Sequence, residues 1–268
     1  YMNKTACDIE EFVRQMNNYD NNLFHFTKLD SAVKILSTGK LRFGNLEDMN
    51  DIAESSLTIY SDYLLEEDVE IELKKYKLIS FTLDSIERRG YEIDALWGHY
   101  SEGGNGVCLV FDKNKLKKQL DASFGRLGFC RAVEYESGVT NAAIMEESDA
   151  KKRTVEDLWI KKHLLFFTKS TDWEYEQEYR FLIKGTNNGD DFLPISDCIK
   201  AVIVCSPKMK GDKVKESIPY QVLKHIENHP PIFRYQHSLG NKELICYECA
   251  EPHRIDDMGE IDIEYKTF

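Results

Sequence analysis

The spacing of apolar residues changes several times along the chain, and each change predicts an element. Ile9, Phe12, Val13 and Met16 recur at helical spacing behind Asp8, which predicts a capped helix. Leu23-Phe24-His25-Phe26-Thr27 reads as a short strand. A second helix follows, with Asp30 as its cap, Ala32, Val33 and Leu36 on one face, and Gly39 as its stop. Residues 41–43 read as extended, and the Asn- and Asp-rich run 45–54 as a loop. Helical character returns within residues 55–76, and 78–82 predicts a strand. Residues 95–100 predict a short helix or turn, broken by Gly103, Gly104 and Gly106 ahead of a strand at 107–111. Strands are expected at 130–135, 177–184 and 199–205, and a mostly helical segment at 141–167. Residues 210–228 are partly helical, with Pro219 making the start irregular; strands at 231–237 and 243–249 finish the sheet.

Helices and strands are thus mixed without regular β–α–β alternation, which predicts an α+β fold. No internal repeat, low-complexity segment or linker interrupts the pattern. The expectation is one domain over residues 1–268, with a core at about 20–207 and a C-terminal part, 208–268, that completes or flanks the sheet.

Composition narrows the function classes. Of the 268 residues, 42% are hydrophobic and 31% charged, a globular balance that can build a core without staples. A net charge of −12 argues against long-range attraction to nucleic acid or an anionic membrane as the main source of binding. The lysines at 113, 115, 117 and 118, and Lys151-Lys152-Arg153, read as solvated helix faces. Seven cysteines, an odd number, lie partly inside apolar runs such as Val107-Cys108-Leu109-Val110, as buried thiols of a reducing compartment do. No segment approaches the ~20 apolar residues of a membrane span, and the opening residues carry no signal-peptide pattern. A cytoplasmic protein is expected. Cys246-Tyr247-Glu248-Cys249 has zinc-like spacing at one end only, so no metal is expected.

Polar chemistry gathers in a few short motifs. On a strand, His25 and Thr27 point to one face and Phe24 and Phe26 to the other, an arrangement suited to gripping a ribose or phosphate and equally met in an ordinary strand-end histidine. Ser80 and Thr82 flank Phe81 in the same alternation. Trp97-Gly98-His99-Tyr100 precedes the glycine-rich turn, where an aromatic ring can stack on a planar group while backbone N–H groups approach a ligand; a turn packed by Trp97 against the core is the other reading. The densest motif is Trp173-Glu174-Tyr175-Glu176-Gln177-Glu178-Tyr179-Arg180. In extended conformation Glu176, Glu178 and Arg180 share one face: a poor core face, and either a cleft wall or an exposed charged ladder.

Taken in this order, the motifs resemble a bacterial family catalogued as a domain of unknown function, number 2971. The resemblance runs over about residues 23–205. It rests on His25-Phe26-Thr27, Ile35-Leu36 with Gly39-Lys40-Leu41, Asn50-Asp51 with Glu54, Ser80-Phe81-Thr82, Trp97-Gly98-His99-Tyr100 with Gly106-Val107-Cys108, Trp173 with Glu176–Arg180, and residues 199–207. More remotely, a histidine on an early strand, then Ser-x-Thr, then Glu-x-Glu on a late strand is similar to the ADP-ribosyltransferase superfamily. That resemblance implies split mixed and antiparallel sheets with flanking helices, clasping NAD as substrate. It implies that His25 and Thr27 hold the adenine-side ribose and that Ser80 and Thr82 support the wall. Phe81, Trp97 or Tyr100 would stack on nicotinamide, with His99 and Arg180 beside the nucleotide. Glu178 would bond the 2′-hydroxyl of the nicotinamide ribose, and Glu176 would orient an acceptor of open identity: protein, nucleic acid, small molecule or water. The tyrosine usual in the second motif is missing from 80–82. A place in a defence or toxin system would follow from the same resemblance.

Two rival readings stand beside it. His25-Phe26-Thr27 and His99-Tyr100-Ser101 both read H-x-[ST], a pairing similar to two-histidine phosphodiesterases, in which the imidazoles act as acid and base from adjacent strands. The third reading is a nucleotide sensor or partner module without chemistry.

Overall fold

The computed structural model describes residues 14–49, 58–61, 66–137, 142–145, 159, 162–185, 189–205, 218–227, 229–238, 241–246 and 252–253. Its strands are β1 (Asn22–Thr27), β2 (Lys40–Arg42), β3 (Gly44–Asn45), β4 (Thr58–Ser61), β5 (Tyr76–Leu83), β6 (Val107–Asp112), β7 (Gly128–Ala132) and β8 (Glu134–Glu136). They continue as β9 (Ala142–Met145), β10 (Thr168–Ser170), β11 (Glu178–Lys184), β12 (Phe192–Pro194), β13 (Ile199–Cys205), β14 (Ile232–Ser238), β15 (Asn241–Cys246) and β16 (Pro252–His253). The helices are α1 (Leu29–Thr38), α2 (Glu66–Leu73), α3 (Asp94–Tyr100), α4 (Lys113–Phe124), α5 (Lys162–Phe166) and α6 (Ile218–Leu223). The fold is α+β, as the sequence pattern predicts. The chain forms two compact units, one from residues 1–40, 82–116 and 195–268, the other from 41–81 and 117–194.

The first unit is a sheet of order β16-β15-β14-β13-β6-β1, with the last two residues of β5 paired to β1. Its neighbours run antiparallel except β13 and β14, which are parallel. β6 pairs with β1 on one side and β13 on the other, and Val107–Phe111 are all fully buried. A strand flanked on both edges and covered on both faces must be apolar throughout, which is why this run lacks alternation. α1 starts one residue before the expected cap: Lys28 is its N-cap and makes no side-chain cap bond, while Asp30 lies in the first turn, where a carboxylate favours the helix dipole. Gly39 ends it in the left-handed region, φ 63°, and its N–H bonds the Ile35 carbonyl. A buried polar knot braces this unit. Arg89 grips both oxygens of Asp84 at 2.9 Å, and Asn22, wholly buried, donates to Asp84 and accepts from Lys200 at 2.8 Å.

The second unit carries the order β5-β11-β7, with β3 antiparallel on β5, and three two-stranded ribbons, β8/β10, β2/β12 and β4/β9. Its core packs Val69, Tyr76, Leu78, Phe166, Phe167 and Leu182. The mostly helical expectation for 141–167 is corrected at β9. Ala142–Met145 pairs in parallel with β4, and pairing with a distant strand overrides local helix preference. Among the described residues of 141–167, Trp159 and Lys162–Phe166 (α5) are helical. The expected strand 130–135 divides at Val133 into β7, which pairs β11, and β8, which pairs β10. The helix expected behind Asp8 is described only from residue 14, and Asn50-Asp51, Glu54 and Cys249 lie outside the described residues.

Candidate functional site

In the second unit, the sequence around Glu178 folds into a turn followed by a strand. Ser170 Oγ accepts from the Asp172 N–H at 3.3 Å and starts a 3-10 turn over Thr171–Glu176. Gln177 then adopts φ 46°, the left-handed region, and β11 begins at Glu178. This corrects the expectation of a shared strand face, because Glu176 ends the turn and lies off the strand. Its carboxylate still meets that of Glu178, through a residue the sequence reading missed. Lys169 on β10 places its ammonium 2.9 Å from Glu176 Oε2 and 3.5 Å from Glu178 Oε2, with the charge 4.5 Å above the Trp173 ring.

Arg180 also holds Glu178. Its Nε and Nη2 donate to the two carboxylate oxygens at 2.6 and 2.8 Å, and its Nη1 donates to the Phe166 carbonyl at 2.8 Å. The Glu178 N–H donates to the Tyr135 hydroxyl at 2.8 Å. Lys169, Glu176, Glu178 and Arg180 are each at most 4% exposed. Burial pushes the Glu178 carboxyl upward. The charge and hydrogen bonds of Arg180, the charge of Lys169 and a hydrogen bond from Ser80 outweigh it and hold the group down at about 2. Such a carboxylate is a poor proton acceptor at neutral pH and a permanent, fixed anion. It can stabilise positive charge that develops beside it.

The remaining predicted residues divide between positions. Ser80 is half-buried and bonds Glu178, whereas Phe81 packs edge-on against Phe181 at 5.2 Å with 2% exposure, so its ring is a core ring here. In the first unit, His25 and Thr27 form the half-buried face of β1, while Phe24 and Phe26 point into the core against Tyr91 and Trp97, as alternation requires. Thr82 is buried opposite Phe24. Trp97 is also a core residue: its Nε1 donates to the Tyr91 carbonyl at 2.8 Å, and its ring stacks over Tyr235. His99 is exposed and Tyr100 half-buried on α3. His99 therefore lies on a helix, and the adjacent-strand layout required for paired H-x-[ST] motifs is not formed.

The glycine turn likewise serves the fold. The Gly104 N–H bonds the carbonyls of Trp97 and Ser101 at 3.1 Å, and the Gly106 N–H that of Ser101 at 2.7 Å, closing the end of α3. These amides are spent on the helix end, contrary to the ligand-facing expectation. A Cβ at Gly106 would lie 2.3 Å from the Thr27 carbonyl oxygen and 2.9 Å from Ser101 Cα. Gly106→Ala must push two backbones apart, so a loss of about 1–3 kcal/mol in urea unfolding is expected. An unchanged midpoint would show that the turn relaxes freely.

Residues 96–181 match a family model described as "Protein of unknown function (DUF2971)". The resemblance expected from the motifs is found over this narrower span. A search of curated proteins gave no match. Among solved structures, the chain is similar to DarT of Thermus sp. 2.9 in complex with NAD+, at 14% identity and a TM-score of 0.35, covering 80% of this chain and 94% of that one. The same protein in complex with ADP-ribosylated single-stranded DNA matches at 14% identity and a TM-score of 0.35, covering 80% of this chain and 93% of that chain. Among the described residues, no helix is long and apolar enough to cross a membrane.

Proposed function

We propose that this protein cleaves the nicotinamide–ribose bond of NAD and transfers ADP-ribose, with Glu178 as the fixed anion of the reaction. The observation that carries this reading is the ionised, buried Glu178 carboxylate, held in one geometry by Arg180 and Lys169 with the Ser80 hydroxyl beside it. Departure of nicotinamide leaves positive charge on the ribose. A carboxylate that stays charged and needs no reorientation favours that charge at the moment it forms. The same low proton affinity makes Glu178 unsuited to general base work, so the reading assigns it electrostatic and 2′-hydroxyl-binding roles only. The choice of NAD rests on the motif order of His25, Ser80-x-Thr82 and Glu176-x-Glu178. The acceptor that Glu176 would orient belongs to the same proposal.

The burial of all four charged groups favours a second reading, in which the cluster only holds the second unit together. The experiment that separates the two is nicotinamide release from NAD by the purified protein, with and without added protein and single-stranded DNA acceptors. Release supports transfer chemistry. No release under any of these conditions, together with no NAD binding by calorimetry, leaves the structural reading.

A further inference from the structure

We propose that Lys169 is the positioning residue of this site, setting the placement of the Glu176–Glu178 pair and holding Glu178 as an anion. The inference rests on the reading that Glu178 acts on NAD, and it assigns a role to a residue outside the Glu-x-Glu motif. Backbone geometry alone does not unite the two carboxylates, because Glu176 ends a 3-10 turn and Gln177 turns through the left-handed region before β11 starts. The single ammonium of Lys169 reaches both, at 2.9 and 3.5 Å. It arrives from β10, which is held in parallel register against β8, and its own freedom is limited by burial and by the Trp173 ring 4.5 Å away. Within this group of four, the charges of Lys169 and Arg180 balance those of Glu176 and Glu178. Arg180 spends its Nε and Nη2 on Glu178 and its Nη1 on the Phe166 carbonyl. Lys169 is the cation placed between the two acidic side chains. Without it, Glu178 keeps its burial penalty and an acidic neighbour while losing one of its two cations, and its carboxyl moves back toward the protonated form.

Lys169→Met tests this. Carbon-13 NMR titration is expected to show the Glu178 carboxyl titrating about one to three pH units higher than in the parent protein. The acid limb of the NAD-cleavage pH profile moves with it. Lys169→Arg, which keeps the charge, restores the low titration. Lys169→Met/Glu176→Gln removes one charge of each sign and returns Glu178 to its low range. This double variant is the informative one if Lys169→Met alone does not fold. A carboxyl titration that stays unchanged in Lys169→Met, or that stays raised in the double variant, overturns the proposal. If the titrations move as expected while the parent protein releases no nicotinamide, the positioning role holds and the transferase reading fails, so the two failures are distinct.

Discussion

Under the NAD-cleavage proposal, Glu178→Gln is expected to lower nicotinamide release by about 10²–10³-fold, the size expected when one preorganised electrostatic partner of a developing charge is removed. The substitution keeps shape and volume and deletes only the charge. It also leaves Arg180 and Lys169 beside a neutral amide in a buried site, so a stability cost is expected alongside the loss of turnover. The two effects are separated by a second variant. Glu178→Asp keeps the negative charge for both cations but withdraws the carboxylate by one methylene, and a displacement of about 1 Å is enough to cost ~10²-fold in a positioned reaction. The expected pattern is a folded Glu178→Asp protein with release reduced by about that factor, and a Glu178→Gln protein reduced further. Nicotinamide release is quantified by chromatography, beside urea unfolding of each variant. A folded Glu178→Gln protein with parental turnover would remove Glu178 from the chemistry.

Several parts of this molecule were legible in its sequence for physical reasons. The run Val107–Phe111 read as an apolar strand holding a buried thiol, and it is buried throughout because a strand covered on both faces admits no polar position. The alternation through His25 and Thr27 placed both on the half-buried face of β1, since side-chain period is fixed by the strand itself. Gly39 marked the end of α1 for an equally local reason. Elsewhere the determinants are distant. Residues 142–145 form a strand through pairing with residues 58–61, which no local window contains. Gln177 interrupts the expected strand with a backbone conformation that its side chain does not advertise. Lys169 was missed because a single lysine in Thr168–Ser170 carries no periodic signal; what gives it a role is the approach of β10 to the turn before β11. Trp97 was a ring-stacking candidate from the glycine-rich turn beside it and Phe81 from the superfamily resemblance alone, and packing against Tyr235 and Phe181 makes both core residues.

Arg180→Met is expected to cost about 3–5 kcal/mol, the penalty for removing one partner of a buried ion pair and leaving the other charge behind. The Phe166 carbonyl loses its donor in the same step, which adds to the loss. The pH dependence of stability then changes sign. In the parent protein Glu178 titrates near 2 when folded, below the ordinary carboxyl value of 4.5. Its contribution is therefore fully present above about 4.5 and is lost as pH falls toward 2. Without Arg180, burial remains and its main counterweight is gone, so the folded carboxyl rises above its unfolded value. From there, stability falls as pH increases through and beyond the carboxylate range, because the folded state resists ionisation that the unfolded chain accepts. Urea unfolding of Arg180→Met from pH 4 to 8 should show this falling trend against the parent curve. Arg180→Met/Glu178→Gln should recover part of the loss at pH 8 by removing the stranded charge. If the two substitutions were merely additive there, and the single variant followed the parent pH curve, the buried pair would not be coupled in the way its geometry requires.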